Sequence, residues 1–270
     1  MSDQKPSRDN IPLPIKREVR QRCGFGCVFC GLPLYDYDHL LGWANTKRHV
    51  ADELTLLCTQ HHREKTNGLL SSQQVEKANA SPHNLREGVS KPYLLHFEGD
   101  QIQCKMGGTD FSAEVKDGFG MLVPIVIDGE ALLAIRIEDN HLLLTMSVYD
   151  RYNKLVLAVL DNHLVFRTDP RDIELSGSNL TVREGARKLL LKMKLLIPDS
   201  IEVERAVFMK NGVEFETFRD KFVVKSNNGQ SQMKIRKAKG VFCFVLGSHD
   251  VGPCVFRFAE INRYPQAANA

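Results

Sequence analysis

Four residues with metal-binding side chains occur as two close pairs near the start of the chain. Cys27 and Cys30 form a Cys-x-x-Cys pair, and Cys58 and His61 form a Cys-x-x-His pair. A structural zinc ion takes four soft or borderline ligands held as two such pairs, with no open coordination position. The spacing therefore predicts a structural Zn²⁺ site. Cys23 competes for one ligand position, but its spacing is poorer.

The interval between the two pairs is much longer than in a small zinc finger, so it must contain structure of its own. Apolar periodicity, capping residues and glycines predict the local elements. In chain order these are a helix over 15–22, a strand over 34–39, a loop over 42–51, a strand over 54–57, a helix capped by Thr59 that runs to about Asn67, a brief helix over 73–80 and a breaker over 81–84.

Three phrases of this region resemble the HNH endonuclease family. They are Asp38-His39, the run from Leu56 to Lys65, and the Arg-Cys-Gly-Phe-Gly-Cys run at 22–27. The last resembles a Cys-rich, zinc-containing bacterial subgroup, and the resemblance extends over residues 12–70. It implies a ββα-metal fold, a structural zinc ion and phosphodiester cleavage that depends on a divalent metal.

Phosphodiester hydrolysis needs a base for water and a cation that neutralises the developing charge. His39 is the natural base, and Asp38 is a hard carboxylate suited to Mg²⁺ or Mn²⁺. His62 follows the zinc ligand His61, so on a helix it points roughly 100° away and can reach this second, catalytic metal. Strand alternation places Asp38 and His39 on opposite faces, so they converge only if the strand ends or bulges there.

Basic residues around the pairs are candidates for nucleic-acid contacts. Lys65 lies three residues after His62 on the same helical face and suits a phosphate contact. Arg63 is its neighbour, and Arg17 and Arg20 lie on the first predicted helix. A phosphate-facing patch on that helix and a simple solvated face are equally compatible with the sequence.

The sequence departs from the family pattern at the central Asn, whose position is occupied by Glu53. The family places this Asn five residues before the cysteine of the second pair. An acid there adds a metal ligand, changes which metal is bound, braces the loop that contains Asn45, or marks lost activity. We therefore count Glu53 among the candidate catalytic residues.

Length and composition predict two domains. The chain has 270 residues, 43% of them hydrophobic and 26% charged, with a net charge of +3 that neither demands nor excludes nucleic acid. We predict an α+β protein, with a small zinc-stabilised ββα-metal (HNH) domain and short linker in 1–90. A mainly antiparallel all-β accessory domain follows in 91–270. The seven cysteines, the lack of a long apolar run and the polar start predict a cytoplasmic protein without a membrane span or secretory signal.

Turn residues divide the second half into short strands. The turns are predicted at 128–129, 139–140, 161–162, 177–179, 211–212 and 227–229. Residues 187–196 have helix-like composition, but alternation and Pro198 favour a strand. Many short strands leave edges to be covered, so we expect a homo-oligomer assembled through this half.

We predict a metal-dependent DNA endonuclease whose β half supplies assembly, targeting or regulation. The family resemblance implies a role in restriction or phage defence. One alternative is a catalytically impaired, zinc-dependent nucleic-acid-binding protein; another is an oligomerising scaffold that carries a nuclease domain.

Overall fold

The computed structural model describes residues 7–8, 10–165, 172–185, 188–226, 229–233, 237–261 and 263. The described residues form two compact units, divided after Tyr93, with residues 172–177 assigned to the first unit. The turn predicted at 227–229 lies largely outside the described residues. Within the part of the chain that the structure describes, no helix is long and apolar enough to cross a membrane.

The fold is a mixed α and β structure with few helices and one large curled sheet. The helices are α1 (Leu13–Arg22), α2 (Trp43–Thr46), α3 (Thr59–Thr66), α4 (Ser72–Ala80) and α5 (His83–Glu87), with a 3-10 turn at Ala51–Glu53. The strands are β1 (Asp36–His39), β2 (Leu54–Leu57), β3 (Leu95–His96), β4 (Gln101–Met106), β5 (Thr109–Lys116), β6 (Phe119–Ile127), β7 (Glu130–Glu138), β8 (His141–Tyr149), β9 (Leu155–Leu160), β10 (His163–Val165), β11 (Asp172–Ser176), β12 (Asn179–Gly185), β13 (Lys188–Leu196), β14 (Ser200–Lys210), β15 (Val213–Phe218), β16 (Lys221–Ser226), β17 (Gly229–Met233), β18 (Lys237–Lys239), β19 (Phe242–Leu246) and β20 (Cys254–Phe258).

The first unit contains the strand, loop, strand, helix order that the sequence predicts. β1 and β2 pair antiparallel, with His39 opposite Leu54 and Asp38 opposite Thr55, and α3 follows β2 after one residue. Cys58, in extended conformation, is the N-cap of α3, so the prediction that Thr59 caps this helix is wrong. The residues predicted as a breaker contain the first turn of α5, because Pro82 is tolerated at a helix start.

The core of the first unit is built around the metal-binding residues. Buried apolar side chains from α1, β2 and α4 pack with the buried cysteines; they include Val19, Leu54, Leu56, Leu57 and Val75. All four residues of β2 are buried, including Thr55, which explains why apolar and polar residues do not alternate along this strand.

Hairpins dominate the second unit. The predicted turns at Asp128-Gly129, Asp139-Asn140, Asp161-Asn162 and Asn211-Gly212 each join two strands. Both central residues of these turns have positive φ, as the two-residue turns that match strand twist require. Residues 188–196 form β13, as predicted.

The prediction of a mainly antiparallel sheet needs one correction. β4 pairs parallel with β14, β5 with β18, and β19 with both β6 and β20. Except for β19 and β20, these parallel partners are distant in sequence, so turn signals do not reveal them.

An aromatic cluster centred on Phe244 fills the core of the second unit. Its ring centroid lies 4.5 Å from that of Phe222, 4.9 Å from Phe215, 5.0 Å from Phe256 and 5.6 Å from Phe111. Four of these five side chains are almost completely buried. Edge-to-face and offset contacts at such distances add to the free energy gained by burial.

We therefore expect Phe244→Ala to lower the free energy of unfolding of the second unit by about 3–5 kcal/mol, because it leaves a cavity among four rings. Urea denaturation followed by circular dichroism measures this change. Phe119→Ala is the matched control, since Phe119 lies on β6 with 54% of its side chain exposed. A similar loss for the two variants would contradict the assignment of the core.

Candidate functional site

Cys27, Cys30, Cys58 and His61 form a group that can hold a metal ion. Their ligand atoms all lie within 4.8 Å of one another. The Sγ atoms of Cys30 and Cys58 are 3.8 Å apart, and Nδ1 of His61 lies 3.1 Å from Sγ of Cys58 and 3.4 Å from Sγ of Cys27. Sulfur atoms bound tetrahedrally to one zinc ion at about 2.3 Å are separated by about 3.8 Å. The arrangement fits a tetrahedral ion.

Backbone contacts place the two ligand pairs together. The turn that carries Cys27 and Cys30 is joined to β2 by a hydrogen bond from the amide of Val28 to the carbonyl of Leu56, 3.0 Å long. Gly26 allows close packing in this turn, because a Cβ there would lie 2.4 Å from Nδ2 of Asn84. Cys58 and His61 lie at the start of α3, directly after β2.

Two of the three thiols have a raised pKa, whereas the hydrogen bond with Cys27 lowers the pKa of Cys30. The hydrogen bond with Cys30, together with burial, raises the pKa of Cys27 to about 12, and burial raises the pKa of Cys58. Metal affinity therefore increases with pH. Cys23, the competing ligand, is buried away from this group, with its sulfur 3.6 Å from Oδ1 of Asn79.

Asp38 and His62 lie next to each other beside the metal group. Nε2 of His62 is 3.5 Å from Oδ1 of Asp38, and its Nδ1 is 3.9 Å from Oδ2 of Asp36. Lys65 donates to Oδ2 of Asp38 and, at 2.7 Å, to the backbone carbonyl of His39. The side chains of Lys65 and Asp38 are only 11% and 10% exposed. Lys65 thus orients Asp38 and ties α3 to the end of β1, instead of extending toward a phosphate.

The imidazole of His39 contacts a different set of residues. It is buried against Trp43 and His49, with ring centroids 4.9 and 5.5 Å away. Its Nε2 atom is buried and has no hydrogen-bond partner among the described residues. Burial, and then the neighbouring His49, lower the pKa of His39, so the ring is neutral near pH 7. Side chains alternate between the two faces of a strand, so Asp38 and His39 were predicted to point in opposite directions. In the structure Asp38 contacts Lys65 of α3, whereas His39 contacts Trp43 of α2.

Glu53 braces the loop between β1 and β2. Its carboxylate forms a two-point ion pair with Arg48, in which Nε of Arg48 lies 3.0 Å from Oε2. The hydrogen bond with Arg48 lowers the pKa of Glu53. Asn45 does not take part; its amide donates to the carbonyl of Leu41. Of the roles considered for Glu53, this contact supports a brace for the loop.

The basic candidates on α1 require a correction. Arg20 is buried, with 2% of its side chain exposed, and its guanidinium binds Asp172 at 2.8 Å and the hydroxyl of Tyr37 at 2.7 Å. Arg17 also hydrogen-bonds Asp172. Both side chains are therefore directed toward an acid 152 or more residues away in sequence rather than toward solvent phosphate. Arg63 on α3 is exposed.

Two site residues were missed from the sequence. Asp36 lies on the same strand face as Asp38, and the period of two could have revealed it. His49 sits in the loop, packed on Trp43 with ring centroids 5.0 Å apart, and no local pattern marks it.

We expect Cys58→Ser to remove the bound metal and to unfold the first unit, because the ion joins the Cys27 turn to α3. Elemental analysis of the purified protein and thermal melting measure the two effects. Cys23→Ser is the matched control and should keep full metal content. A full equivalent of metal in the Cys58 variant would show that the ligand assignment is wrong.

Comparisons of this chain with protein-family models, with curated proteins and with solved structures found no match.

Proposed function

We propose that this chain is a metal-dependent endonuclease that hydrolyses phosphodiester bonds of DNA. The observation that carries the proposal lies at the end of β1. The imidazole of His39 is buried there with an unpartnered nitrogen. The carboxylate of the preceding residue, Asp38, lies 3.5 Å from the imidazole of His62. A base and a hard metal site are the two parts that phosphodiester hydrolysis needs. The resemblance to HNH nucleases supports the same activity and a role in restriction or phage defence.

Two metals have distinct roles in this proposal. Zn²⁺, bound by Cys27, Cys30, Cys58 and His61, is structural, because four protein ligands leave no position for substrate. Asp38 and His62 would hold Mg²⁺ or Mn²⁺. Nε2 of His62 and Oδ1 of Asp38 lie 3.5 Å apart, and a carboxylate oxygen and an imidazole nitrogen are ligands that such an ion would accept. When bound, this ion neutralises charge on the reacting phosphate.

His39 is the proposed base. Nε2 accepts a proton from water while the water oxygen forms a bond to phosphorus and the bond from phosphorus to the leaving sugar oxygen breaks. The leaving oxygen takes a proton from solvent. Because the buried ring is neutral near pH 7, Nε2 has a lone pair available for this transfer.

Lys65 and Glu53 support these groups without contacting substrate. Lys65 fixes the orientation of the Asp38 carboxylate, and Glu53 fixes the loop through Arg48. Among the basic candidates, Arg63 is the exposed one that we propose for phosphate contact.

One observation favours a second function, that of a catalytically impaired nucleic-acid-binding or scaffold protein that keeps its zinc site. The Lys65 ammonium already neutralises Asp38, and Glu53 is paired with Arg48. A metal at Asp38 would have to share that carboxylate with Lys65. Strong metal-dependent cleavage by the wild type would exclude this alternative.

His39→Ala should lower the single-turnover rate of plasmid nicking by about 100- to 10,000-fold with Mg²⁺ or Mn²⁺, because the base acts in the transition state. DNA affinity, measured by fluorescence anisotropy, should stay within about twofold of the wild type. His141→Ala, a change on β8 in the second unit, is the control. Wild-type rates in the His39 variant would refute the mechanism.

We also propose a homo-oligomer assembled through the second unit, which exposes large apolar side chains such as Tyr152 and Leu160. Two nuclease sites on one particle would suit double-strand cleavage. Light scattering of the full chain should give a mass of two or more copies across micromolar concentrations. A monomer at every concentration would contradict this assembly.

A further inference from the structure

Two buried imidazole nitrogens in one small cluster have no hydrogen-bond partner among the described residues. They are Nε2 of His39 and Nδ1 of His49. The two rings lie 5.5 Å apart, and Trp43 packs on both of them. Buried polar atoms in native proteins are almost always satisfied by protein or by ordered water, so two orphans side by side indicate a ligand common to both.

The other nitrogen of each ring fixes which atom carries the proton. Nε2 of His49 lies 3.0 Å from the backbone carbonyl of Ser7, which can only accept, so this nitrogen is the donor. A hydrogen bond with the backbone of Arg48 favours the protonated form of His39, so the ring nitrogen that makes this bond carries a proton. Nε2 is the nitrogen without a partner among the described residues. The donor of His39 is therefore Nδ1. Both orphan nitrogens are then acceptors that present lone pairs.

We propose that one water molecule bridges Nε2 of His39 and Nδ1 of His49 and is the nucleophile of the reaction, which makes His49 a water-positioning residue. A water that donates both of its hydrogens satisfies two acceptors at once. Each such hydrogen bond spans about 2.8 Å, so the water would lie between the two rings, whose centroids are 5.5 Å apart.

This geometry leaves both oxygen lone pairs of the water free for phosphorus. His39 takes one proton as the bond from oxygen to phosphorus forms, and the bond to the leaving sugar oxygen breaks. The other hydrogen remains bonded to His49, which keeps the oxygen aimed during attack. The inference rests on the proposed nuclease function and adds a residue that neither the motif nor the metal ligands identify.

A metal ion could also satisfy two imidazole lone pairs. However, the carboxylate of Glu53, which lies in the same loop and could join the two imidazoles in a metal site, is held by Arg48. Water is thus the ligand that the surroundings favour.

A crystal structure of the full chain that resolves ordered solvent tests the bridge directly. We expect a water within hydrogen-bond distance of both nitrogens. A metal ion there, identified by anomalous scattering, or a protein side chain between the rings would overturn the proposal.

Steady-state plasmid cleavage over a range of DNA concentrations tests the role of His49. We expect His49→Ala to lower kcat about 100-fold with KM for DNA nearly unchanged, because a misplaced nucleophile affects the chemical step. His49→Asn should recover most of the loss, since its side-chain oxygen can accept the same hydrogen bond. Zinc content and melting temperature confirm that both variants fold.

His141→Ala is the matched control. The His96 and His141 rings lie 5.5 Å apart at 39°, as the rings of His39 and His49 do, but His96 is exposed and neither residue has a buried orphan nitrogen. If His39→Ala is inactive while His49→Ala matches the wild type, the water-positioning role is wrong and the nuclease function stands. If His39→Ala also matches the wild type, both proposals fail.

Discussion

The first unit depends on one constraint, the convergence of three thiol groups and one imidazole on a single position. Cys27 and Cys30 come from the turn after α1, whereas Cys58 and His61 come from the start of α3. Few apolar residues are available to hold this unit, and small cores of this kind are commonly completed by a structural metal. A bound ion joins segments about thirty residues apart and fixes where α3 begins, since such an ion contributes directly to folding.

The site follows from that fixed helix. With His61 directed at the metal, the next residue projects along a different side of α3 and meets Asp38, and Lys65 reaches the same carboxylate one turn later. Lys65 also binds the carbonyl of His39, so the helix holds the end of β1 in place. The loop between the strands then supplies the aromatic side chains against which His39 is buried. A structural ion would thus organise the groups that we propose for catalysis without contacting them.

Much of the first unit and of the hairpins could be predicted from the sequence, because these features depend on local chemistry. The paired ligands, the order β1, β2, α3 and the Asp-Gly and Asn-Gly hairpins depend on residues close together in the chain. What the sequence could not reveal depends on distant partners. In the sequence, Arg20 is indistinguishable from a solvent-facing helix residue, because its partner Asp172 is far along the chain. The parallel pair of β6 and β19 has no turn signal. His49 becomes a site residue only because it packs beside His39 in the fold. Glu53 was recognised as a departure, but its Arg48 partner was not.

Hydrogen–deuterium exchange of the full chain, measured with metal bound and after chelation, tests the central constraint most directly. We predict that chelation removes protection from the backbone amides of β1, β2 and α3, because their mutual position depends on the ion. The strands around Phe244 should stay protected, since no group of three or more converging metal ligands lies in the part of their core that the structure describes. Unchanged protection of β1, β2 and α3 in protein that elemental analysis finds free of metal would contradict the account.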